Sequence, residues 1–251
     1  MSSFVNVARS LEESLKLTIP PIAICLSDTL PDGISPFTGQ VPAGCAFWEK
    51  AANEVLATST SDHELCAIGV HTHAMPGAKE LTKTELADAL KIMGELDYVR
   101  AEEIAEIPVL KQSAKHVIYA PLADTAFPPD AVMIFAHSGQ GLIITEAVQR
   151  VDAGTPPAMG RPACAIVPQV VNSKKAAFSL GCCGARAYLD SLSDDVALWT
   201  FPGEKIESYA REIASLAQAN STLSRFHQIR RRDVESGGAP TVKESLARLS
   251  S

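Results

Sequence analysis

The sequence predicts a mixed α/β protein made of two pseudo-repeated halves packed around a shared cysteine-lined centre. Short apolar segments alternate with amphipathic ones, which is typical of strands and helices in one domain. Six cysteines are distributed along the 251 residues. Short motifs also recur in the same order in both parts of the chain. We assign residues 1–220 to a single domain with halves of about 1–112 and 113–220, and residues 221–251 to a polar, flexible tail.

The predicted elements follow from apolar spacing and from residues that interrupt it. Residues 5–17 are amphipathic and end at Pro20 and Pro21, because a residue that precedes proline avoids the helical region. Residues 44–51 resemble the start of a helix. Further helices are predicted at residues 79–93, 142–150 and 204–218, and strands at 22–26, 55–60, 116–120, 131–135 and 196–201. The predicted tail is polar and contains Gly237 and Gly238.

Composition restricts the partners and the compartment. The formal net charge of -7 argues against nucleic acid, because phosphate contacts require clustered lysine and arginine. Apolar runs such as residues 131–136 are too short to cross a bilayer, and no secretory signal opens the chain. We therefore expect a cytoplasmic protein, in which cysteines bind metal, act in catalysis or lie in the core rather than form disulfides.

The repeat consists of three short matches. Residues 20–25 resemble 128–133, residues 40–46 resemble 160–165, and Cys66 with Gly69 parallels the Gly181-Cys182 pair. The cysteine spacings are also similar, at 21 residues from Cys45 to Cys66 and 18 from Cys164 to Cys182. Coincidence in an alanine-rich chain is the alternative. A true duplication would bring two cysteines from each half to one centre.

These cysteines form a candidate ligand set. Cys45, Cys66, Cys164 and either Cys182 or Cys183 supply the four thiolates typical of an iron–sulfur cluster, for which 4Fe–4S is our expectation. A tetrahedral zinc site uses the same ligands and is the alternative cofactor. Structural zinc typically uses close cysteine pairs, and the only close pair here consists of adjacent residues. We expect Cys25, within an apolar strand, to be a core residue.

Other polar residues are candidates near this centre. Arg186 can bind a substrate carboxylate or favour a thiolate, because guanidinium pairs with both. If residues 70–73 form a strand, His71 and His73 face the same side and can complete a zinc site or transfer protons. Two surface histidines are the simpler interpretation. Phe47 and Trp48 follow Cys45 and can shield the centre from water, or serve as ordinary core residues.

Several of these motifs resemble the domain of unknown function 169 family of bacteria and archaea. The resemblance covers roughly residues 8–216 and has no settled activity attached to it. Its pattern Leu-Gly-Cys-x-Gly-x-Arg makes Cys182 the better fourth ligand, and leaves Cys183 as a ligand, a neighbour of the cofactor or a reactive thiol. The matching segments are residues 20–24, 44–48, 66–69, 128–135, 163–165 and 180–186.

The leading functional hypothesis is an iron–sulfur redox or electron-transfer protein. Cys45, Cys66, Cys164 and Cys182 would bind the cluster, with Arg186 and His71 as neighbouring or substrate-contacting groups. Its partner would be a redox protein or a small-molecule substrate, and an enzyme of this kind would be an iron–sulfur oxidoreductase. The alternatives are a non-catalytic zinc or cofactor-binding and sensing protein, and a metal-free enzyme with Cys183 as nucleophile. The chain is compatible with a monomer or a homodimer.

Overall fold

The apolar segments pair into one seven-stranded sheet. A computed structural model describes residues 3–160 and 162–249, so Arg161 of the predicted repeat and the chain ends lie outside the described residues. The strand order is β2-β3-β1-β4-β7-β6-β5, with β5 and β6 parallel and the other pairs antiparallel. The strands are β1 (Ile22–Ser27), β2 (Leu56–Ser59), β3 (His116–Pro121), β4 (Ala131–His137), β5 (Ala158–Met159), β6 (Ala177–Ser179) and β7 (Val196–Pro202).

Helices cover both faces of this sheet, which confirms the mixed α/β class. They are α1 (Ser3–Leu15), α2 (Ala46–Lys50), α3 (Ala67–Thr72), α4 (Glu80–Glu95), α5 (Ala101–Ala105), α6 (Ser138–Val151), α7 (Ile166–Ser173), α8 (Cys183–Tyr188), α9 (Ile206–Glu235) and α10 (Val242–Ala247). Single 3-10 turns lie at Thr60–His63, Leu122–Asp124, Ala163–Ala165 and Gly203–Lys205. None of the helices within the described ranges is both long and apolar enough to cross a membrane.

The two faces of the sheet have different coverings. Along β4, Val132 and Ile134 pack with the long helices α1, α6 and α9, whereas Met133 and Phe135 pack on the opposite face. This alternation is the ordinary geometry of a strand. The opposite face carries the short elements α2, α3, α7 and α8, and every predicted ligand cysteine lies on or beside one of them. The long helices therefore cover one face of the sheet, and the short elements that carry the cysteines cover the other.

The middle of the sheet joins the two parts of the chain. Strands β1 and β4 pair antiparallel, with Ile22 opposite Met133 and Ile24 opposite Ala131. Strand β3 lies on the outer side of β1 and strand β7 on the outer side of β4. The sheet is consequently continuous across the point at which the sequence predicts two halves to meet.

The C-terminal segment differs from its sequence prediction. The chain beyond residue 220 is helical rather than irregular, because α9 continues to Glu235 and α10 follows it. Phe226 is buried, and α10 packs back against α9. The Thr241 hydroxyl caps α10 by accepting the Glu244 backbone N–H at 3.2 Å. The sequence did not predict these two helices because the segment is polar and few apolar residues mark a buried helix face.

Candidate metal centre

Four cysteines from separate elements meet on the face of the sheet opposite the long helices. Cys45 caps α2, Cys66 precedes α3, Cys164 lies in a 3-10 turn and Cys182 caps α8. The thiols are close enough to influence one another. Besides the dominant effect of burial, the pKa of Cys164 is raised by Cys66, Cys182 and Cys45. The structure thus brings together the four cysteines that the sequence singled out.

Burial keeps the thiols of Cys45, Cys66 and Cys164 neutral in the metal-free chain. Cys45 and Cys164 are only 7% and 8% exposed. Burial, with smaller effects from Cys66 and Cys182, raises the pKa of Cys45 to about 12. Thiolates at these positions need a nearby positive charge, because a buried anion without one is unfavourable. A metal centre supplies that charge, so the donor set fits the predicted cofactor.

Hydrogen-bond donors are directed at three of the sulfur atoms. Burial raises the pKa of Cys66, and hydrogen bonds from the backbone N–H groups of Gly44 and Gly69 oppose that rise. The Ala185 backbone N–H donates to Cys182 Sγ at 3.5 Å, and the Thr72 hydroxyl donates to Cys164 Sγ at 3.5 Å. Such bonds stabilise anionic sulfur, and around a cluster they help to set its reduction potential.

Glycines allow the backbone to approach these side chains. A Cβ atom at Gly69 would lie 2.9 Å from Cys66 Sγ, and one at Gly44 would lie 2.7 Å from His63 Nδ1. Gly181 precedes Cys182 with a φ of +86°, a backbone conformation that glycine adopts without strain. The local chain geometry at the centre therefore depends on residues without a side chain.

The remaining two cysteines lie apart from this group. Cys183 is exposed at the first position of α8, whereas Cys182 is partly buried. Cys25 is buried in a separate cluster with Ala57 and Ile118, as predicted for a core residue. Burial, followed by the Asp130 carboxylate, raises the pKa of Cys25 to about 12.

Arg186 holds the segment that carries Cys182. Its guanidinium donates to the backbone carbonyl of Ser193 at 2.7 Å, and to those of Leu192 and Val196 at 3.3 Å each. It also donates to the carbonyl of Leu180. These bonds connect both ends of the loop around α8, so Arg186 is a positioning residue. Its predicted contact with a substrate carboxylate stays a prediction.

The histidines are arranged differently from the sequence expectation. Residues 70–72 belong to α3 rather than to a strand, so His71 and His73 do not share one side. His71 is exposed and lines a surface cleft with Met75 and Lys83. His73 is buried. The proposed role of His71 beside the cofactor stays a prediction.

Sequence reasoning missed two buried residues at the centre. His63 lies in the 3-10 turn before Cys66, with its ring centroid 4.8 Å from that of Phe47 and 6.4 Å from that of His73. Tyr119 of β3 stacks on Phe47 at 5.9 Å. Its pKa is raised by burial first and then by Cys66, Cys164 and Cys45, so its phenol lies near the same thiols. In the sequence, the only indication that His63 lies near the centre was its position three residues before Cys66.

Contacts between the two parts of the chain surround the cysteines. The Glu49 carboxylate, four residues after Cys45, accepts the Ser191 backbone N–H at 2.6 Å and also the Ser191 hydroxyl. The Asn172 side-chain amide donates to the Val109 carbonyl at 2.8 Å. Phe47 and Trp48 are fully buried, as the shielding role requires. Within the described ranges, no three His, Cys, Asp or Glu side chains already lie close enough to hold one metal ion.

Fold and site together define a mixed α/β protein in which four thiols from separate elements gather on one face of a central sheet. The model of the domain of unknown function 169 family, described as "Uncharacterised ArCR", matches residues 10–212. The chain belongs to this family, as the motif resemblance predicted. Comparisons with curated proteins and with solved structures found no match. The matched range includes all four cysteines of the centre.

Proposed function

We propose that this protein binds one iron–sulfur cluster through Cys45, Cys66, Cys164 and Cys182, and that it transfers electrons. The observation that carries the proposal is the packing of these four cysteines, which come from four separate elements, in one cluster on one face of the sheet. A 4Fe–4S cluster is the expected type, because it uses four cysteine thiolates. Each thiolate binds a different iron, so ligands on separate elements suit a cluster.

The surroundings of the thiols support a redox centre. Buried thiols with raised pKa values become thiolates when metal binding compensates their charge. The N–H and O–H donors directed at Cys66, Cys182 and Cys164 stabilise the bound sulfur in each case. Phe47 and Tyr119 exclude water on the sheet side, which protects a cluster and influences its potential.

The exposed side of the centre indicates where electrons enter and leave. Cys45 and Cys164 are buried, whereas Cys66 and Cys182 are partly exposed. The cluster supplies one-electron chemistry when bound, and the protein's part is to hold it with one side near solvent. A redox partner protein or a small-molecule substrate would exchange electrons at the side formed by Cys66 and Cys182.

We also propose that the two halves are duplicates that share this cluster. Strands β1 and β4 are central, β3 and β7 flank them, and β2 and β6 come next, so the order is the same outward from the middle. Cys66 and Cys182 each occupy the N-cap of a short helix. The pairing of β3 with β1 favours a boundary near residue 125 rather than at 112.

The experiment is an analysis of iron, labile sulfide and visible absorption in protein purified without oxygen. We expect about four irons and four sulfides per chain, and broad absorption that fades reversibly on chemical reduction. One zinc without sulfide would replace this function with that of a zinc-binding or sensing protein. Absence of metal together with one rapidly alkylated thiol at Cys183 would instead favour a cysteine-nucleophile enzyme.

A further inference from the structure

His63 carries a bare lone pair in the protein interior. The Thr58 hydroxyl donates its only proton to the Val117 carbonyl at 3.0 Å. Thr58 Oγ1 must therefore accept the bond that it forms with His63 Nε2 at 2.9 Å. This fixes the proton of the neutral ring on Nε2. The other nitrogen, His63 Nδ1, is buried on a residue that is 2% exposed and has no hydrogen-bond partner among the described residues.

His73 presents the same arrangement with its nitrogens exchanged. His73 Nδ1 lies 3.1 Å from the Gly69 carbonyl, which can only accept, and 3.2 Å from the hydroxyl of Thr72, whose own proton is directed at Cys164 Sγ, so Nδ1 carries the proton. The opposite nitrogen, Nε2, is then an acceptor. It is buried on a residue that is 3% exposed, and within residues 3–160 and 162–249 it has no hydrogen-bond partner. Two neighbouring imidazoles thus each hold an unused lone pair inside the protein.

Neither imidazole removes its unpaired lone pair by binding a second proton. Burial lowers the pKa of His63 to about 3, with a smaller effect from His73, and lowers that of His73 to about 4. An unsatisfied buried acceptor costs about 1–3 kcal/mol. A histidine that binds metal has this pattern: one nitrogen donates to a protein oxygen, and the other keeps a free lone pair for the ion.

A thiol lies beside one of these lone pairs. A Cβ atom at Gly44 would lie 2.7 Å from His63 Nδ1 and 3.8 Å from Cys66 Sγ, so both atoms lie against the same glycine. We propose that His63 Nδ1, His73 Nε2 and the Cys66 thiolate bind a divalent transition-metal ion next to the four-cysteine centre. Imidazole and thiolate ligands suit Zn²⁺, Co²⁺ and Fe²⁺.

This ion would be separate from the cluster and would share only Cys66 with it. Since no three such side chains of the described chain are already at single-ion distances, binding draws the two rings and the thiolate together. Cβ atoms at Gly44 and Gly69 would each lie within 4 Å of both His63 Nδ1 and Cys66 Sγ, so these two ligand atoms already border the same two glycines. The site does not depend on the proposed cluster, because its two imidazole ligands take no part in cluster binding.

The test measures Co²⁺ binding by the full chain carrying Cys45→Ser and Cys182→Ser, in which the four-thiol centre is dismantled. We expect about one tightly bound Co²⁺ per chain, with thiolate-to-cobalt absorption. Adding His63→Gln or His73→Gln should abolish tight binding. His227→Gln is the matched control, because His227 is an exposed histidine on α9, and it should leave Co²⁺ binding unchanged.

A second variant keeps both histidines and tests the hydrogen bond that fixes the tautomer. Thr58→Val should weaken Co²⁺ affinity about 10–100-fold, and Thr58→Ser, which retains the hydroxyl, should restore it. Unchanged Co²⁺ binding in His63→Gln and His73→Gln, or in Thr58→Val, would overturn the proposal. So would loss of iron and sulfide on His63→Gln in the otherwise unchanged chain, since His63 would then belong to the cluster. Absence of a cluster from the wild-type chain would overturn the proposed function but not this site.

Discussion

The two parts of the chain place their cysteines in closely similar surroundings. Each has one buried cysteine, Cys45 or Cys164, at or just before a short helix, and one partly exposed cysteine, Cys66 or Cys182, at the N-cap of another. Each pair lies on the same face of the sheet. Under the proposed function, the two parts would contribute equivalent ligands to a centre that neither could complete alone.

The chain segments that follow these cysteines differ between the two parts. The first part adds two buried imidazoles and a long segment, residues 73–115, between α3 and β3. The second part has only residues 189–195 between α8 and β7, and Arg186 fastens that short connection. The four cysteines are therefore divided evenly between the two parts, whereas the two buried imidazoles with an unpaired nitrogen, among the described residues, belong to the first part.

The largest effect is expected from the matched buried cysteines. Cys45→Ser and Cys164→Ser should each reduce bound iron and sulfide to background, because a three-ligand cluster is open to loss. Cys182→Ser should do the same, whereas Cys183→Ser, at the adjacent exposed position, should retain the wild-type content. Retention of the cluster after Cys164→Ser but not after Cys45→Ser would show that the two parts are not equivalent ligand donors.

Acid should destabilise the metal-free chain through the imidazoles of the first part. The folded-state pKa values, about 3 for His63 and about 4 for His73, lie below the ordinary value of 6.5. The unfolded chain therefore binds protons that the folded chain excludes. The free energy of unfolding should fall by roughly 1.4 kcal/mol per pH unit for each histidine as pH decreases from about 6 to 4. Denaturant titrations at several pH values measure this slope, and His63→Gln should reduce it.

A moderate loss of stability is expected in the loop before Cys182. Gly181→Ala places a Cβ atom 2.8 Å from Leu192 Cδ2 at a φ of +86°, so both strain and overlap oppose folding. We expect a decrease of about 2–3 kcal/mol in the free energy of unfolding. Gly77→Ala is the control, since φ is +73° and nothing lies within 4 Å of the added atom. Gly77→Ala should lower the free energy of unfolding by only about 1 kcal/mol. Equal decreases in the two variants would show that the overlap with Leu192 contributes nothing.

The smallest effect concerns Arg186. Arg186→Lys keeps the charge but cannot reach four carbonyl groups, so we expect about 1–2 kcal/mol lower stability. Iron content at low temperature should be unchanged, because the residue positions a loop and is not a ligand. Thermal unfolding followed by circular dichroism, together with iron analysis, separates these outcomes. Complete loss of iron with unaltered stability would assign Arg186 a direct role at the cofactor.

Local patterns predicted five of the seven strands of the sheet, and the ligand role of the cysteines stays a prediction. The starts of β1, β3, β4 and β7 were predicted correctly from apolar runs and flanking prolines. The cysteine group was predicted from repeated short motifs. The helix α3 was missed because six residues contain too little periodicity, and His71 was consequently chosen instead of His63. Which lone pairs stay bare depends on hydrogen bonds such as Thr58 to Val117, which join residues far apart in sequence.

The central claim is that both parts of one chain hold one cluster, and native mass spectrometry of protein purified without oxygen tests it most directly. The account predicts a species with the mass of one chain plus one 4Fe–4S cluster, which loses that added mass on Cys45→Ser or on Cys164→Ser. A chain carrying only a single zinc ion, a chain without added mass, or a cluster found only between two chains would contradict it.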